Sequence, residues 1–178
     1  MDFKLPATMF TTFFKSLQDE LSFHITEDNL LIRADQLRAR LRLYPVMVLS
    51  QMLLEPLFVW LFWGHVDHQS LLFWLACIYA IHGLEIFLWW RYRAQLNTLQ
   101  QCRRWRLMFN LLALLVALAW GAIAVWFFAQ DVAFQALMIC LVLGLVAGAV
   151  TLDSVYPPAL YIYVAGVSLP LLAHLMLA

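Results

Sequence analysis

The chain has 178 residues, of which 65% are hydrophobic and 12% charged, and its formal net charge is zero. Soluble domains carry about 25% charged residues, and one domain of this length cannot hide so much apolar surface, so lipid must serve as solvent for much of it. Zero net charge argues against nucleic acid as a partner.

The first 42 residues mix six basic with six acidic side chains. A cleavable signal would instead put a basic patch and an apolar run at the extreme N-terminus, so this segment is expected to stay uncleaved and to face water. It carries two helical stripes. Phe10, Phe13, Phe14, Leu17 and Leu21 recur at helical spacing, and Leu30, Leu37, Leu41 and Tyr44 do so after a start signal at Thr26–Asn29. With Lys15, Arg33, Arg38, Arg40 and Arg42 around them, the stripes predict either an amphipathic helix on the inner leaflet or a juxtamembrane helix packed on a partner domain.

Five apolar runs follow: Leu43–Trp63, Ser70–Trp90, Leu107–Ala129, Ala133–Leu152 and Val155–Leu177. Each approaches the roughly 20 residues that cross a hydrocarbon core. The expected fold is therefore all-α, a polytopic bundle of five transmembrane helices over 43–178 behind a cytosolic amphipathic segment over 1–42. All eleven Lys and Arg fall in residues 1–42 or at Arg91, Arg93, Arg103, Arg104 and Arg106. That asymmetry places the N-terminus and the 91–106 loop in the cytosol. Trp60, Trp63, Trp74 and Trp126 fall near the outer interface, and Trp89, Trp90 and Trp105 near the inner one. Five crossings leave Ala178 outside at the end of an apolar run. A sixth helix beyond it is expected, with a five-helix protein as the alternative.

Ionisable groups inside a membrane are costly and mark the places where function or specific packing resides. The first apolar run holds Gln51 and Glu55, and the second His82 and Glu85. Counted from the inner ends at ~1.5 Å per residue, Glu55 lies ~18 Å deep, His82 ~13 Å and Glu85 ~9 Å. Adjacent antiparallel helices then bring Glu55 to His82, one turn from Glu85. Two readings stay open: a proton-linked or ligand-sensing cluster in the bundle interior, or interhelical glue. His82 and Glu85 lack the second histidine of a zinc protease motif. His82 and His174 lie at depths too different to share a haem. His65, Asp67 and His68 form an exposed outer group read as a solvated loop. Cys77, Cys102 and Cys140 have no CxxC spacing and read as apolar fillers or reduced thiols. No catalytic residue, metal or cofactor is expected.

Gly144 and Gly148 with Ala147 and Ala149 make a small-residue face in the fourth run, suited to close helix contact within one bundle or between protomers. Pro45 and Pro56 in the first run, Pro157 and Pro158 at the start of the fifth, and Pro170 inside it lack amide donors. They are expected to kink or locally open the backbone. Trp120 and Gly121 in the third run are, with Gly144 and Gly148, expected helix-packing positions.

Arg103–Met108 leading into Ala119-Trp120-Gly121, then Gly144–Val150, Tyr156-Pro157-Pro158-Ala159-Leu160-Tyr161-Ile162-Tyr163 and Leu169-Pro170-Leu171, appear in that order. Over residues 33–178 the chain resembles the N-terminal membrane sensor region of bacterial GGDEF-type diguanylate cyclases and of some hybrid histidine kinases. The resemblance implies a six-helix unit in the bacterial inner membrane that feeds a cytosolic output domain not contained in this chain. It also implies a homodimer whose enzyme makes cyclic di-GMP. The expected role is thus a sensory input and dimerisation module answering a small-molecule or lipid cue. The alternative is a small-solute transporter or channel subunit using Glu55, His82 and Glu85.

Overall fold

The computed structural model describes residues 29–93, 98–127, 131–154 and 156–177. The first expected stripe, Phe10 to Leu21, lies outside the described residues. Five α-helices account for almost all of the rest: α1 (Leu30–Phe62), α2 (His68–Tyr92), α3 (Leu99–Trp126), α4 (Val132–Asp153) and α5 (Pro157–Leu177). All five are long and apolar enough to cross a membrane. Side chains such as Leu53 (77% exposed), Trp60 (72%) and Phe73 (67%) cover the outside of the bundle. A soluble monomer does not present apolar surface so widely, and the chain is a multi-pass membrane protein.

The starts of α2, α3 and α4 are set by side-chain caps. Asp67 accepts from the Ser70 amide at 2.9 Å, and Asp131 accepts from the Ala133 amide at 2.7 Å. Thr98 and Gln101 form a reciprocal capping box, which satisfies two amides the helix itself leaves unpaired. α5 begins on Pro157, where the missing N–H costs nothing.

Two expected boundaries move. The loop read over 91–106 from its arginines is mostly helix, because the Thr98 box starts α3 about two turns earlier than the apolar run does. Arg103, Arg104 and Arg106 therefore ride on α3. The division at 42/43 falls inside α1, which runs unbroken for 33 residues. At ~1.5 Å per residue that is ~50 Å, against ~30 Å for a hydrocarbon core. Leu37, Leu41 and Tyr44 extend the packing of this membrane helix rather than forming a separate element.

Alternating helix direction gathers the start of α1, the end of α2, the start of α3, the end of α4 and the start of α5 at one end, where every described arginine lies. Here it is called the basic end. Two apolar cores stack along the bundle. Near the basic end Leu37, Leu41 and Tyr44 pack against Cys102, Trp105, Phe109, Tyr156 and Ala159. Toward the other end Phe58, Phe62, Trp74, Trp120, Phe127 and Val167 pack together, with Trp74 and Trp120 edge to face at 5.2 Å. Trp74 Nε1 also donates to the Ala119 carbonyl at 2.7 Å.

The tightest helix contact is between α3 and α5. A Cβ on Gly121 would stand 2.4 Å from the Gly166 carbonyl oxygen and 2.9 Å from Pro170 Cγ, and one on Gly166 would stand 2.6 Å from Ala117 Cβ. Only bare glycines allow the two backbones this close. Gly144 and Gly148 behave differently, for nothing lies within 4 Å of a Cβ built on either. Their face points out of the bundle, so the version of the small-residue contact within one chain is not the one formed.

None of the internal prolines breaks its helix. Proline removes the amide that would have bonded the carbonyl four residues back. For Pro45 that carbonyl is Leu41, which accepts from Trp89 Nε1 at 2.9 Å. For Pro56 it is Met52, which accepts from the Tyr79 hydroxyl at 2.9 Å. For Pro170 it is Gly166, the carbonyl that faces Gly121. Neighbouring helices thus satisfy or closely cover what each proline releases.

Candidate functional site

Five buried ionisable groups, Arg40, Glu55, His82, Glu85 and Asp153, run from within the core at the basic end toward the second core. α1 presents Arg40, Tyr44, Gln51 and Glu55 at spacings of four, seven and four, close to one, two and one turns, so they share the face turned inward. α2 presents His82 and Glu85 one turn apart. His82 and Glu55 are fully buried, at 0% exposure.

The imidazole stands between two carboxyl groups. Its Nε2 lies 2.6 Å from Glu55 Oε1 and its Nδ1 lies 2.6 Å from Glu85 Oε2. The second Glu85 oxygen accepts from the Tyr44 hydroxyl at 2.8 Å. The expected meeting of Glu55 with His82 and Glu85 is therefore present in the structure, and Tyr44 completes a relay that crosses twice between α1 and α2.

Proton counting follows from what each atom can do. An ionised carboxylate only accepts, so two ionised glutamates require an imidazolium donating from both nitrogens. A neutral ring donates from one nitrogen and accepts at the other, which then requires one glutamic acid. Both arrangements hold two protons and carry one net negative charge. They differ only in where a proton sits along a 2.6 Å line. Removing one of the two leaves lone pairs facing across that distance. Adding a third makes the triad neutral, and Glu55 Oε2 is a buried oxygen with no partner on which it would sit.

A second buried pair lies toward the basic end. Arg40 Nη1 is 2.8 Å from Asp153 Oδ1, with side-chain exposures of 4% and 6%. The angles do not align as a hydrogen bond, and Arg40 Nε is likewise without one. The guanidinium lies over the rings of Phe109 at 4.9 Å and Tyr156 at 5.5 Å, a stacked setting that suits its delocalised charge. The pair ties α1 to the end of α4.

A cavity of about 20 Å³ separates and touches both charge groups, with Arg40, Tyr44, Gln51, Glu85, Asp153 and Tyr163 on its walls. That is room for about one water molecule. Gln51, expected as part of the cluster, lines this cavity rather than joining the triad.

The remaining expected positions sort by role. Trp120 and Gly121 pack the bundle and Pro56 and Pro170 sit at satisfied or covered carbonyls, as described above. Pro157 and Pro158 form the first turn of α5. In the outer loop, His68 Nε2 is 2.7 Å from the Trp63 carbonyl and its ring stacks on Trp63 at 4.1 Å, while His65 lies on Phe134 at 3.5 Å. The Ser70 backbone amide, and then its hydroxyl, hold the Asp67 carboxyl below the usual carboxylate range. Among the described residues no group of three or more His, Cys, Asp or Glu side chains is placed to hold a metal ion.

Arg40, Tyr44 and Asp153 are the site residues that reading the sequence for polar groups inside the apolar runs did not bring out. Two signals pointed to them. Arg40 falls at i+3 and Tyr44 at i+7 from Leu37, so both lie on the apolar stripe. Asp153 is the only acid between Asp131 and Ala178. No family model, no curated protein and no solved structure matches this chain.

Proposed function

We propose that the chain is a membrane-embedded sensory input module whose sensing element is the Tyr44–Glu85–His82–Glu55 relay. The observation that carries this reading is the burial of two acids, a histidine and an arginine on the α1–α2 pair, with a third acid, Asp153 of α4, against the arginine. Proton occupancy changes the net charge of a set that has almost no water to screen it, so each occupancy favours its own packing of α1 against α2 and α4. Arg40 and Asp153 then pass a shift of α1 to the α4–α5 turn. The basic end is cytosolic by the asymmetry of Lys and Arg, and the membrane is the bacterial inner membrane. The output served is a cytosolic enzyme acting as a homodimer. On the resemblance noted above, it is a diguanylate cyclase making cyclic di-GMP.

The transporter reading needs a path for solute through the polar layer, and the cavity touching these groups is one water wide. A single experiment separates the two. Spin labels at exposed Ile32 on α1 and Gln100 on α3 report their separation in liposomes between about pH 5 and about pH 8, the range in which histidine-centred switches act. The sensor reading expects a change that Glu55→Leu with His82→Leu abolishes, and no pH-driven solute or proton flux. Flux lost in the double variant, with an unchanged label distance, would establish transport instead. In cells, the same double variant is expected to uncouple cyclic di-GMP levels from external pH.

A further inference from the structure

At the basic end, α1 and α2 part along a groove with two storeys. The outer storey is a cavity of about 280 Å³ lined by Arg38, Leu41, Arg42, Trp89 and Arg93. The inner one, about 220 Å³, is walled by Tyr44, Pro45, Val48, Leu49, Ile86 and Trp89. Trp89 belongs to both, so the two adjoin at its indole. The fold holds that indole in place: its Nε1 donates to the Leu41 carbonyl that Pro45 leaves without a helical donor, and the Arg93 guanidinium lies over the ring at 4.8 Å.

The chemistry changes sharply from one storey to the next. Three guanidinium groups surround the outer cavity, and Asp35 pairs with Arg38 at 3.0 Å across an exposed contact. Among the described residues lining or pairing at the mouth, the balance is two net positive charges. Below it the walls are aliphatic and aromatic, apart from the Tyr44 hydroxyl, which is already given to Glu85. A charged mouth at the helix ends above an apolar cleft is the polarity of a lipid standing in the adjacent leaflet.

We propose that this groove holds one anionic phospholipid, with its phosphate among Arg38, Arg42 and Arg93 and one acyl chain along Pro45, Val48, Leu49 and Ile86. A phosphatidylglycerol-type headgroup brings a net negative charge to the mouth. A phosphatidylcholine headgroup brings its own cation, which the arginines repel. A soluble phosphate has no segment to fill the lower cleft. The bound chain lies against Tyr44 and Pro45, directly outside the relay, so lipid composition becomes a second input to the same helix. The binding site itself requires only that the helices cross a membrane, and it stands whether or not the relay senses protons.

The test uses the whole chain, delipidated in detergent and exposed to equimolar phosphatidylglycerol and phosphatidylcholine, with retained lipid counted by native mass spectrometry. One phosphatidylglycerol should be retained in preference. Arg42→Gln and Arg93→Gln should lower that retention by about fivefold for each arginine removed. Ile86→Trp, which fills the cleft and spares the arginines, should lower it as well. Arg103→Gln with Arg104→Gln, at exposed positions of the same end on α3, should leave it unchanged. Circular dichroism accompanies each variant, and Ile86→Trp and Arg42→Gln probe the two storeys independently should one fail to fold. Three results would overturn the proposal: equal retention of the two lipids, equal loss in the Arg103/Arg104 variant (a diffuse basic surface only), or full competition by glycerol phosphate (a headgroup site without a chain).

Discussion

α1 with α2 is an antiparallel helix pair and α3 with α5 a parallel one; each has proline inside one member, yet they are joined by opposite means. In the first pair, α2 sends polar side chains across. Trp89 and Tyr79 cap the carbonyls released by Pro45 and Pro56, and His82 and Glu85 meet Glu55 and Tyr44. In the second pair no side chain crosses at the proline. Gly121 and Gly166 bring the backbones together and the carbonyl released by Pro170 faces a bare Cα. Apolar burial gives little preference between helices when lipid is the solvent, so association falls to hydrogen bonds or to close van der Waals packing. The α3–α5 seam has one good geometry. If the relay senses protons as proposed, the α1–α2 seam has a separate packing for each proton occupancy.

The largest expected effect breaks the polar seam. His82→Leu leaves Glu55 and Glu85 without the group that stands between them, and breaking a buried charge pair on one side costs about 3–5 kcal/mol. Replacing both partners, as in Glu55→Leu with His82→Leu, should recover part of that loss, since an orphaned buried group is worse than an absent one. Unfolding in detergent measures both variants. Additive effects would mean that the two side chains do not interact.

The glycine seam breaks next. Gly121→Ala places a methyl 2.4 Å from the Gly166 oxygen. Backbone rather than a flexible side chain is in the way, so α3 and α5 must separate, at a cost of about 1–3 kcal/mol. A stability loss without any change in pH response would sharpen the contrast between a rigid seam and a responsive one. Unchanged stability would show that the seam yields.

Tyr79→Phe should cost less, about 1 kcal/mol, because it removes only the donor to the Met52 carbonyl and membrane hydrogen bonds average well below their vacuum strength. The carbonyl stretch of a ¹³C-labelled Met52 checks it directly. An unshifted band in Tyr79→Phe would show that the Pro56 gap is satisfied in another way.

These seams were unequally legible from the residues alone. Depth arithmetic on Glu55, His82 and Glu85 needs only a helical rise and antiparallel neighbours, and it anticipated their meeting. Arg40 escaped, since a charged residue ahead of an apolar run reads as solvated, and only the Asp153 carboxylate together with the Phe109 and Tyr156 rings makes its burial bearable. The division expected at 42/43 falls inside a continuous α1 for a comparable reason: the Trp89 indole that satisfies the carbonyl released by Pro45 comes from 44 residues further on. The small-residue contact was read from a one-helix pattern, Gly144 and Gly148. The contact formed joins Gly121, an expected packing position, to Gly166 of another helix, a pairing that leaves no local motif.

That last difference supports the smallest prediction for the single chain and the most informative one for its assembly. Gly148→Leu should leave the unfolding of the monomer almost unchanged, since nothing lies within 4 Å of a Cβ there. Exposed Leu143 and Val150 flank the two glycines, so the outward face of α4 is a shallow trough between aliphatic ridges. Lipid tails fill such a trough as well as a helix does, so the shape alone does not decide its occupant. A second copy of α4 would gain from the close backbone approach that glycine permits, and a leucine at 148 would hold the two helices apart. Homodimerisation through this face therefore expects a weaker dimer for Gly148→Leu in detergent, with a wild-type unfolding curve under monomeric conditions. Gly121→Ala should show the reverse, an impaired fold with no defect in association specific to α4. If Gly148→Leu dimerises like the wild type, the trough belongs to lipid, and any dimer is built on another face.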